Sequence, residues 1–177
     1  MAGERSALAP LVERYHGPLL GYLFRLTNGN RALAEDLVQE TFLRLLQQHS
    51  YRSNRSFKPW LYAIATNLAR DYFRSAIARR TTSLEDQTLP DVADPHVGPE
   101  EVTQANDQTQ AITRAMEQIG QEHQIVLILR FYGGLSLKEI SESLDIPLGT
   151  VKSRLSNGTH RLRDLLSSLK MRNSNHG

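Results

Sequence analysis

The stretch SLKEISESLDIPLGTVKSRLSNGTHRLRDLLSSL, residues 136–169, decides the fold prediction for this chain. Ser136 followed three residues later by Glu139 is the capping-box pattern that begins a helix, here over residues 137–144. The sequence DIP, residues 145–147, then predicts a tight turn before a longer second helix. A short helix, a tight turn and a longer helix are typical of a helix-turn-helix, whose second helix enters the DNA major groove.

Three poor helix formers, Asn157, Gly158 and Thr159, raise the question of whether the second helix ends at them. At about 100° per residue, one side of this helix stays apolar both before and after them, with Val151, Leu155, Leu162, Leu165, Leu166 and Leu169. Gly158 lies on that side, where a small residue permits a close helix crossing at a cost of about 1 kcal/mol relative to alanine. We therefore predict one continuous helix to about Leu169.

The other side of the second helix is polar and basic. It carries Lys152, Ser153, Ser156, Asn157, His160 and Arg163. Hydroxyl, amide and cationic side chains suit the base edges and phosphates of duplex DNA. This face favours DNA binding, and a plain helical hairpin without DNA is the alternative.

Composition excludes several classes of protein. The 177 residues suffice for one domain or two small ones, and the 40% hydrophobic content fits a globular protein without membrane insertion. The first residues, MAGERSALAP, hold no apolar signal-peptide core, so we expect a cytoplasmic protein. The absence of cysteine excludes disulfides, thiolate zinc sites and a cysteine nucleophile.

Charge is distributed in three blocks behind a net charge of +2. Residues 1–80 carry +6, residues 81–110 carry −7 with no basic residue, and residues 111–177 carry +3. Two basic blocks around an acidic one are a hint of nucleic-acid contact, although ordinary surface charge gives the same pattern.

The acidic segment also marks the domain boundary. SLEDQTLPDVADPHVGPEE, residues 83–101, combines proline and acid with no helical periodicity, which predicts a flexible linker. We place this linker at residues 81–100, between a first domain at 1–80 and a second at 101–170. Both domains have helical apolar spacing and no strand pattern, so we predict an all-α fold of two small helical domains, the second a helix-turn-helix.

Helix boundaries follow from caps and prolines. In the first domain we expect Pro18 to kink or restart the first helix, and Asn30 to cap the second after the turn at residues 27–30. The remaining predicted helices run from about Asn30 to His49, Phe57 to Arg79, Val102 to Ile119 and Glu122 to Tyr132.

Aromatic and basic residues alternate in the third helix, FKPWLYAIATNLARDYFRSAIARR. Its core face carries Leu61, Ile64 and Leu68, and the opposite face carries Trp60, Asn67, Arg70, Asp71 and Arg74, with Arg79 and Arg80 at the basic end. Unpaired bases stack on aromatic rings and guanidinium planes, so this pattern favours contact with melted DNA. The alternative is core aromatics with solvated arginines.

The helix segment EDLVQETFLRLL has a different character. Its polar side carries Asp36, Gln39, Glu40 and Arg44. An acidic, amide-bearing face in a basic domain fits a protein partner better than DNA, although many such faces are only solvated.

Three motifs together resemble one family. DLVQETFLRLL, FKPWLYAIATNLARDYFR and LSLKEISESLDIPLGTVKSRL are similar, in the same order, to extracytoplasmic-function sigma factors of bacterial RNA polymerase. The resemblance covers about residues 11–80 and 111–166. It implies a transcription initiation factor that binds core RNA polymerase and promoter DNA, both duplex and melted, and it implies an anti-sigma factor as a further partner.

The resemblance also implies residue roles. It assigns docking on the clamp helices of the largest polymerase subunit to Asp36, Gln39, Glu40 and Phe42. It assigns the opening and recognition of the −10 element, with capture of a flipped base, to Trp60, Asn67, Arg70, Asp71, Arg74, Arg79 and Arg80. Recognising the −35 element as duplex falls to Lys152, Ser153, Ser156, Asn157, His160 and Arg161. The linker would thread toward the active-site cleft of the polymerase.

This chain departs from the family pattern after GTVKSRL. Relatives typically have S-R-A-R there, whereas this chain has Ser156-Asn157-Gly158-Thr159. Arginine pairs with guanine and asparagine with adenine, so we predict a −35 element less dependent on guanine at the base facing Asn157. Two fewer cations should also weaken the salt dependence of duplex binding.

Two other classes of function are weaker alternatives. An autonomous helix-turn-helix regulator would need a sensing or dimerisation surface within residues 1–80, and no such pattern is evident. An enzyme would need catalytic or metal-binding groups, yet the chain has no phosphate-binding glycine loop and its six histidines lack metal-ligand spacing. We expect no catalytic residue, metal site or cofactor.

Overall fold

Seven α-helices form the part of the chain that the structure, a computed structural model, describes: residues 2–47, 56–83 and 104–174, with side chains at 9–47, 56–78 and 111–168. They are α1 (Ala2–Leu26), α2 (Arg31–Gln47), α3 (Phe57–Ser83), α4 (Gln104–Gln118), α5 (Gln121–Phe131), α6 (Leu137–Leu144) and α7 (Leu148–Ser174). The chain divides into two compact units, 1–96 and 97–177. The predicted all-α fold of two helical domains is confirmed.

Much of the predicted linker lies outside the described residues. The division between the units falls within residues 81–100, of which the structure describes only 81–83, where α3 ends. The linker therefore stays a prediction, as do the exact domain bounds.

The first unit packs α1, α2 and α3 against one another. The three helices together contribute apolar side chains that are almost completely buried, among them Leu19, Tyr22, Leu23, Ala34, Val38, Leu61, Ala65 and Ala69. We predicted a kink or a restart at Pro18. The restart is wrong, because α1 continues through Pro18 to Leu26, and the kink stays a prediction. Pro18 is exposed, so water can solvate the carbonyl group that loses its helical hydrogen bond.

The turn between α1 and α2 follows its sequence signal. Gly29 has a φ of 85°, which glycine adopts without steric cost. The side-chain oxygen of Asn30 accepts a hydrogen bond from the backbone N–H of Leu33 at 3.0 Å, which confirms the predicted cap.

The second unit is built around α5. This helix buries six consecutive residues, 124–129, and it packs against α4, α6 and α7. After α5 the chain turns through Gly133 and Gly134, and a Cβ on Gly133 would lie 2.8 Å from the backbone oxygen of Leu129. Only glycine fits that contact, so the predicted end of the helix at this pair is confirmed.

Candidate nucleic-acid interface

Local hydrogen bonds fix the helix-turn-helix formed by α6 and α7. Ser136 and Glu139 make the full capping box, with the Ser136 hydroxyl accepting from the Glu139 N–H at 3.2 Å and the Glu139 carboxylate accepting from the Ser136 N–H at 2.8 Å. Asp145 ends α6 in the left-handed region, at φ 52°. The Ser141 hydroxyl then donates to the carbonyl of Ile146 at 2.6 Å. The turn is thereby held from both sides.

Gly158 does not end α7. It is buried inside α7, and a Cβ added to it would lie 3.1 Å from both His123 Cβ and Leu127 Cδ1 on α5. The prediction of one continuous helix with Gly158 facing inward is confirmed. The absent side chain lets α7 cross α5 closely.

The outer face of α7 is exposed as predicted. The side chains of Lys152, Ser153, Ser156, Asn157 and His160 are all exposed to solvent. His160 Nε2 lies 3.4 Å from an Asp164 carboxylate oxygen one turn further along. The structure thus brings most of the candidate −35 residues together on one accessible helix face.

Two arginines of α7 lie on its flank rather than on this face. The guanidinium of Arg161 donates a long hydrogen bond, 3.5 Å, to the carbonyl of Ile119, although the side chain remains exposed. Arg154, which the sequence reasoning missed, pairs with Glu122 of α5 at 2.6 Å and is only 20% exposed. The signal for Arg154 was its position beside the apolar stripe, but nothing in the sequence pairs it with Glu122.

A shallow cleft of about 420 Å³ lies between the start of α6 and the middle of α7. Its wall combines apolar, hydroxyl and cationic groups, namely Leu137, Lys152, Leu155, Ser156, Thr159, His160 and Arg163. Four of these residues were not among the predicted −35 contacts, namely Leu137, Leu155, Thr159 and Arg163. Two permanent cations beside hydroxyl donors suit a backbone phosphate of DNA.

The second candidate face lies on α3. Asn67, Asp71 and Arg74 are exposed and Arg70 is half-buried, and their spacing places all four on one side of the helix. An Arg74 guanidinium nitrogen lies 3.2 Å from an Asp71 carboxylate oxygen. The side chains of Arg79 and Arg80 lie outside the described residues.

Trp60, the remaining candidate on α3, belongs to an aromatic cluster. Its ring lies 6.0 Å from that of Phe57, which in turn lies 5.3 Å from the ring of Tyr15 on α1. Trp60 is therefore half-buried rather than fully presented to solvent. The cluster fixes the start of α3 against α1.

A buried hydrogen bond fixes the inner side of α3. The hydroxyls of Tyr22 and Thr66 lie 2.7 Å apart, and the Thr66 hydroxyl also donates to the carbonyl of Tyr62. Burial raises the pKa of the Tyr22 phenol far above its usual value, and it raises the pKa of Tyr62 to about 12. The buried Tyr62 hydroxyl has no hydrogen-bond partner among the residues that the structure describes.

The third candidate face lies on α2. Asp36 and Gln39 are exposed and Glu40 is half-buried, accepting from Arg44 at 3.1 Å. Phe42 is only 8% exposed and stacks on His16, so the structure assigns it to packing. The sequence reasoning missed the exposed leucines Leu43 and Leu46, at 52% and 45%, which lie on the same side as Asp36 and Gln39. Helical spacing could have found them.

None of the described helices has both the length and the apolar character needed to cross a membrane. Within the same described residues, no group of three or more histidine, aspartate or glutamate side chains is placed to hold a metal ion.

Family comparisons agree with this geometry. The family profile for Sigma-70 region 2 matches residues 11–80, which include the candidate faces on α2 and α3. The profile for Sigma-70, region 4 matches residues 115–164, which include α5, α6 and most of α7.

Curated relatives are similar over nearly their whole length. The chain is 34% identical to the ECF RNA polymerase sigma factor SigW of Bacillus subtilis, covering 94% of this chain and 92% of SigW. It is 36% identical to the ECF RNA polymerase sigma factor SigL of Mycobacterium tuberculosis, covering 95% of this chain and 93% of SigL.

Solved structures share the fold. CnrH, in complex with the cytosolic domain of CnrY, matches with a TM-score of 0.70 at 20% identity, covering 94% of this chain and 92% of CnrH. The sigma factor RpoE, in complex with the anti-sigma factor NepR from Bartonella quintana, matches with a TM-score of 0.63 at 22% identity, covering 94% of this chain and 98% of RpoE. Two region matches in one chain, and full-length relatives above 30% identity, show that the chain belongs to the ECF family of RNA polymerase sigma factors.

Proposed function

We propose that the two units of this sigma factor bind different parts of the initiation complex. The first unit, from about residue 1 to 80, binds core RNA polymerase and the −10 element. The second, from about 101 to 170, binds the −35 element as duplex DNA, and the linker at 81–100 joins them along the polymerase cleft. The single observation that carries this proposal is that region 2 and region 4 match the two units separately.

For the −35 element, the supporting observation is the outer face of α7. This face is exposed and lies on the side of α7 away from α5. It carries one cation and four polar residues, Lys152, Ser153, Ser156, Asn157 and His160. A helix held by a helix-turn-helix presents such a face to the major groove, where base edges carry a distinct pattern of donors and acceptors. Asn157 then favours adenine at the base that it faces.

For the −10 element, the supporting observation is the polar face of α3. Exposed Asn67 and Arg74 with half-buried Arg70 offer amide and guanidinium groups to an unstacked base and its phosphates. The half-buried Trp60, with Arg79 and Arg80 later in the same helix, completes the set of residues that we propose for this element.

For core polymerase, the supporting observation is the mixed face of α2. Asp36, Gln39 and Glu40 provide polar contacts, and the exposed Leu43 and Leu46 add the apolar area that protein interfaces bury at their centre. Phe42 supports this face from inside the unit.

We also propose an anti-sigma factor as a partner, and the cytoplasm as the site of action. The family resemblance implies both, and the structurally similar RpoE was solved bound to the anti-sigma factor NepR. As an initiation factor the chain would act with the catalytic site of the polymerase rather than with one of its own.

Reconstitution with core polymerase tests the proposal. The purified chain is added to core RNA polymerase and a promoter library, and transcription start sites are mapped. We expect specific initiation that depends on both the −10 and the −35 sequence. Binding to duplex DNA without initiation would overturn the proposal in favour of an autonomous regulator.

A further inference from the structure

The flank of α7 that faces α4 and α5 carries two arginines seven residues, or about two turns, apart, Arg154 and Arg161. The Arg154 guanidinium lies 2.6 Å from the Glu122 carboxylate at the start of α5, and its side chain is 20% exposed. A charge-assisted hydrogen bond of this length, on a largely covered side chain, holds the guanidinium in one place. Arg154 is therefore engaged with the protein before any DNA arrives.

The second arginine has a weaker anchor of the same kind. Arg161 donates to the carbonyl of Ile119 at 3.5 Å, at the junction between α4 and α5. That carbonyl lies near the end of α4, where backbone oxygens lack helical partners and a cation is favourable.

Between the two arginines lies the closest approach of α7 to α5. Gly158 is four residues after Arg154 and three before Arg161, and the missing Cβ would meet His123 and Leu127 at 3.1 Å. The three residues lie along one flank of the helix, so the contact runs continuously over two turns. A helix held at both ends of a close crossing cannot rotate or slide without breaking one of these contacts.

We propose that Arg154, Gly158 and Arg161 are positioning residues, which hold α7 at the angle that −35 recognition requires and do not themselves contact DNA. We name these three residues the crossing seam. The inference rests on the proposed −35 function of α7, and it removes Arg161 from the predicted DNA contacts. By contrast, Lys152 and Arg163 make no ion pair within the described residues and line the cleft on the outer side.

The direction in which Glu122→Gln changes −35 affinity distinguishes a positioning role of Arg154 from a DNA contact. If Arg154 contacted phosphate, Glu122→Gln would free its guanidinium and remove a negative charge, so −35 binding would strengthen. If Arg154 positions α7, the same substitution loosens the crossing and −35 binding weakens, by about fivefold for a pair of this exposure.

The experiment uses holoenzyme assembled from the full chain and core polymerase. Open-complex formation is measured on promoters carrying the best −35 sequence, each single-base variant of it, and a scrambled −35 element. We expect Glu122→Gln, Arg154→Gln and, to a smaller extent, Arg161→Gln to lower the ratio between the best sequence and its single-base variants. A merely structural role would lower all −35 affinities together and leave that ratio unchanged.

Three controls sharpen the result. The charge swap Glu122→Arg with Arg154→Glu should restore the ratio to within about twofold of the starting chain, while either change alone lowers it. Glu117→Gln, which removes an exposed acid from α4, should leave the ratio unchanged. Arg163→Gln should reduce the slope of log affinity against log salt by about 1, whereas Arg154→Gln should not change the slope.

Different results would overturn the crossing seam and the proposed function of α7. Stronger −35 binding by Glu122→Gln, or a reduced salt slope for Arg154→Gln, would overturn the crossing seam and make Arg154 a DNA contact. Independence of the unsubstituted holoenzyme from the −35 sequence would instead overturn the proposed function of α7, and the seam with it.

Discussion

The helices α3 and α7 have the same length, 27 residues, and each presents a polar, partly basic face to solvent, yet the protein holds them differently. The inner side of α3 is fully buried from Leu61 to Ala69, with the Tyr22–Thr66 hydrogen bond inside it. Among the described side chains of α7, only Val151 and Gly158 are buried, and the leucines that follow are half-exposed. Buried volume therefore fixes α3, whereas a close crossing and its flanking arginines fix α7.

This difference predicts where substitutions act. A change on the inner side of α3 removes buried contacts and lowers the stability of the first unit. A change on the inner flank of α7 removes little buried area, and its main consequence is a change in the orientation of the helix toward the DNA. Stability and promoter preference should thus respond separately in the two units.

The largest expected effect tests burial directly. Leu61→Ala on α3 should lower the free energy of unfolding of the first unit by about 3 kcal/mol, because Leu61 is completely buried and leaves a cavity. Leu165→Ala, at a half-exposed position of α7, should cost about 1 kcal/mol in the second unit. Chemical denaturation followed by circular dichroism measures both. Equal losses would contradict the contrast between the helices.

The next effect concerns DNA preference. Asn157→Arg should raise the preference for guanine at the facing −35 base by about tenfold, because arginine pairs with guanine through two hydrogen bonds. A selection from a randomised −35 element measures it. The matched change on α3, Asn67→Arg, should leave the −35 preference unaltered and alter only −10 usage. An unchanged −35 selection for Asn157→Arg would remove Asn157 from the base contacts.

The buried tyrosines make the first unit sensitive to alkaline pH. The pKa of Tyr62 is about 12 in the folded chain and about 10 when unfolded. The unfolded state therefore releases its proton first, so stability is fully present below pH 10 and is lost progressively up to pH 12. We expect a loss of about 1 kcal/mol at pH 11 from this group. Denaturation at pH 9 and pH 11 measures it, and Tyr62→Phe should reduce the difference.

At neutral pH the same two tyrosines should differ. Tyr22→Phe should cost the first unit about 1 kcal/mol, because Thr66 loses its buried hydrogen-bond partner. Tyr62→Phe should be neutral or stabilising, because the hydroxyl that it removes is buried without a partner in the described part of the chain. Parallel denaturation curves decide the question, and a larger loss for Tyr62→Phe would reveal a contact of that hydroxyl with another part of the chain.

The smallest effects should come from the outer faces, where the helices are alike. Asp71→Asn on α3 and Asp164→Asn on α7 each remove one partner of an exposed pair, with separations of 3.2 and 3.4 Å. Each should change the free energy of unfolding by less than about 0.5 kcal/mol, because water screens both partners. A large loss at either position would show that the outer faces also differ in how they are held.

The sequence predicted the local structure of this protein well. The capping box at Ser136, the cap at Asn30 and the inward position of Gly158 are encoded by residues within one or two turns of each other. Pro18 was predicted to kink or restart the first helix, because proline removes a backbone hydrogen bond. The sequence could not indicate that this position is exposed, where water compensates the loss.

The sequence predicted which helix faces carry the candidate residues, but it did not predict which of those side chains are buried. Helical periodicity placed Asn67, Arg74 and Asn157 on outer faces, where the structure finds them exposed. The family resemblance assigned Phe42 to polymerase docking, yet its side chain is buried, and the exposed Leu43 of the same helix was not among the candidates. Membership of a helix face follows from spacing, but the depth of burial depends on which neighbouring helix covers that face.

The sequence by itself determined the seven helices of the described residues, the caps at Asn30 and Ser136 and the polar faces. Hydrogen bonds within a helix and the period of 3.6 residues are local properties of the chain. Only the tertiary structure decided that Arg154 meets Glu122 and that Tyr22 meets Thr66, 32 and 44 residues apart. Such contacts depend on how helices pack across the core, and packing is set by the fit of whole surfaces rather than by any short pattern.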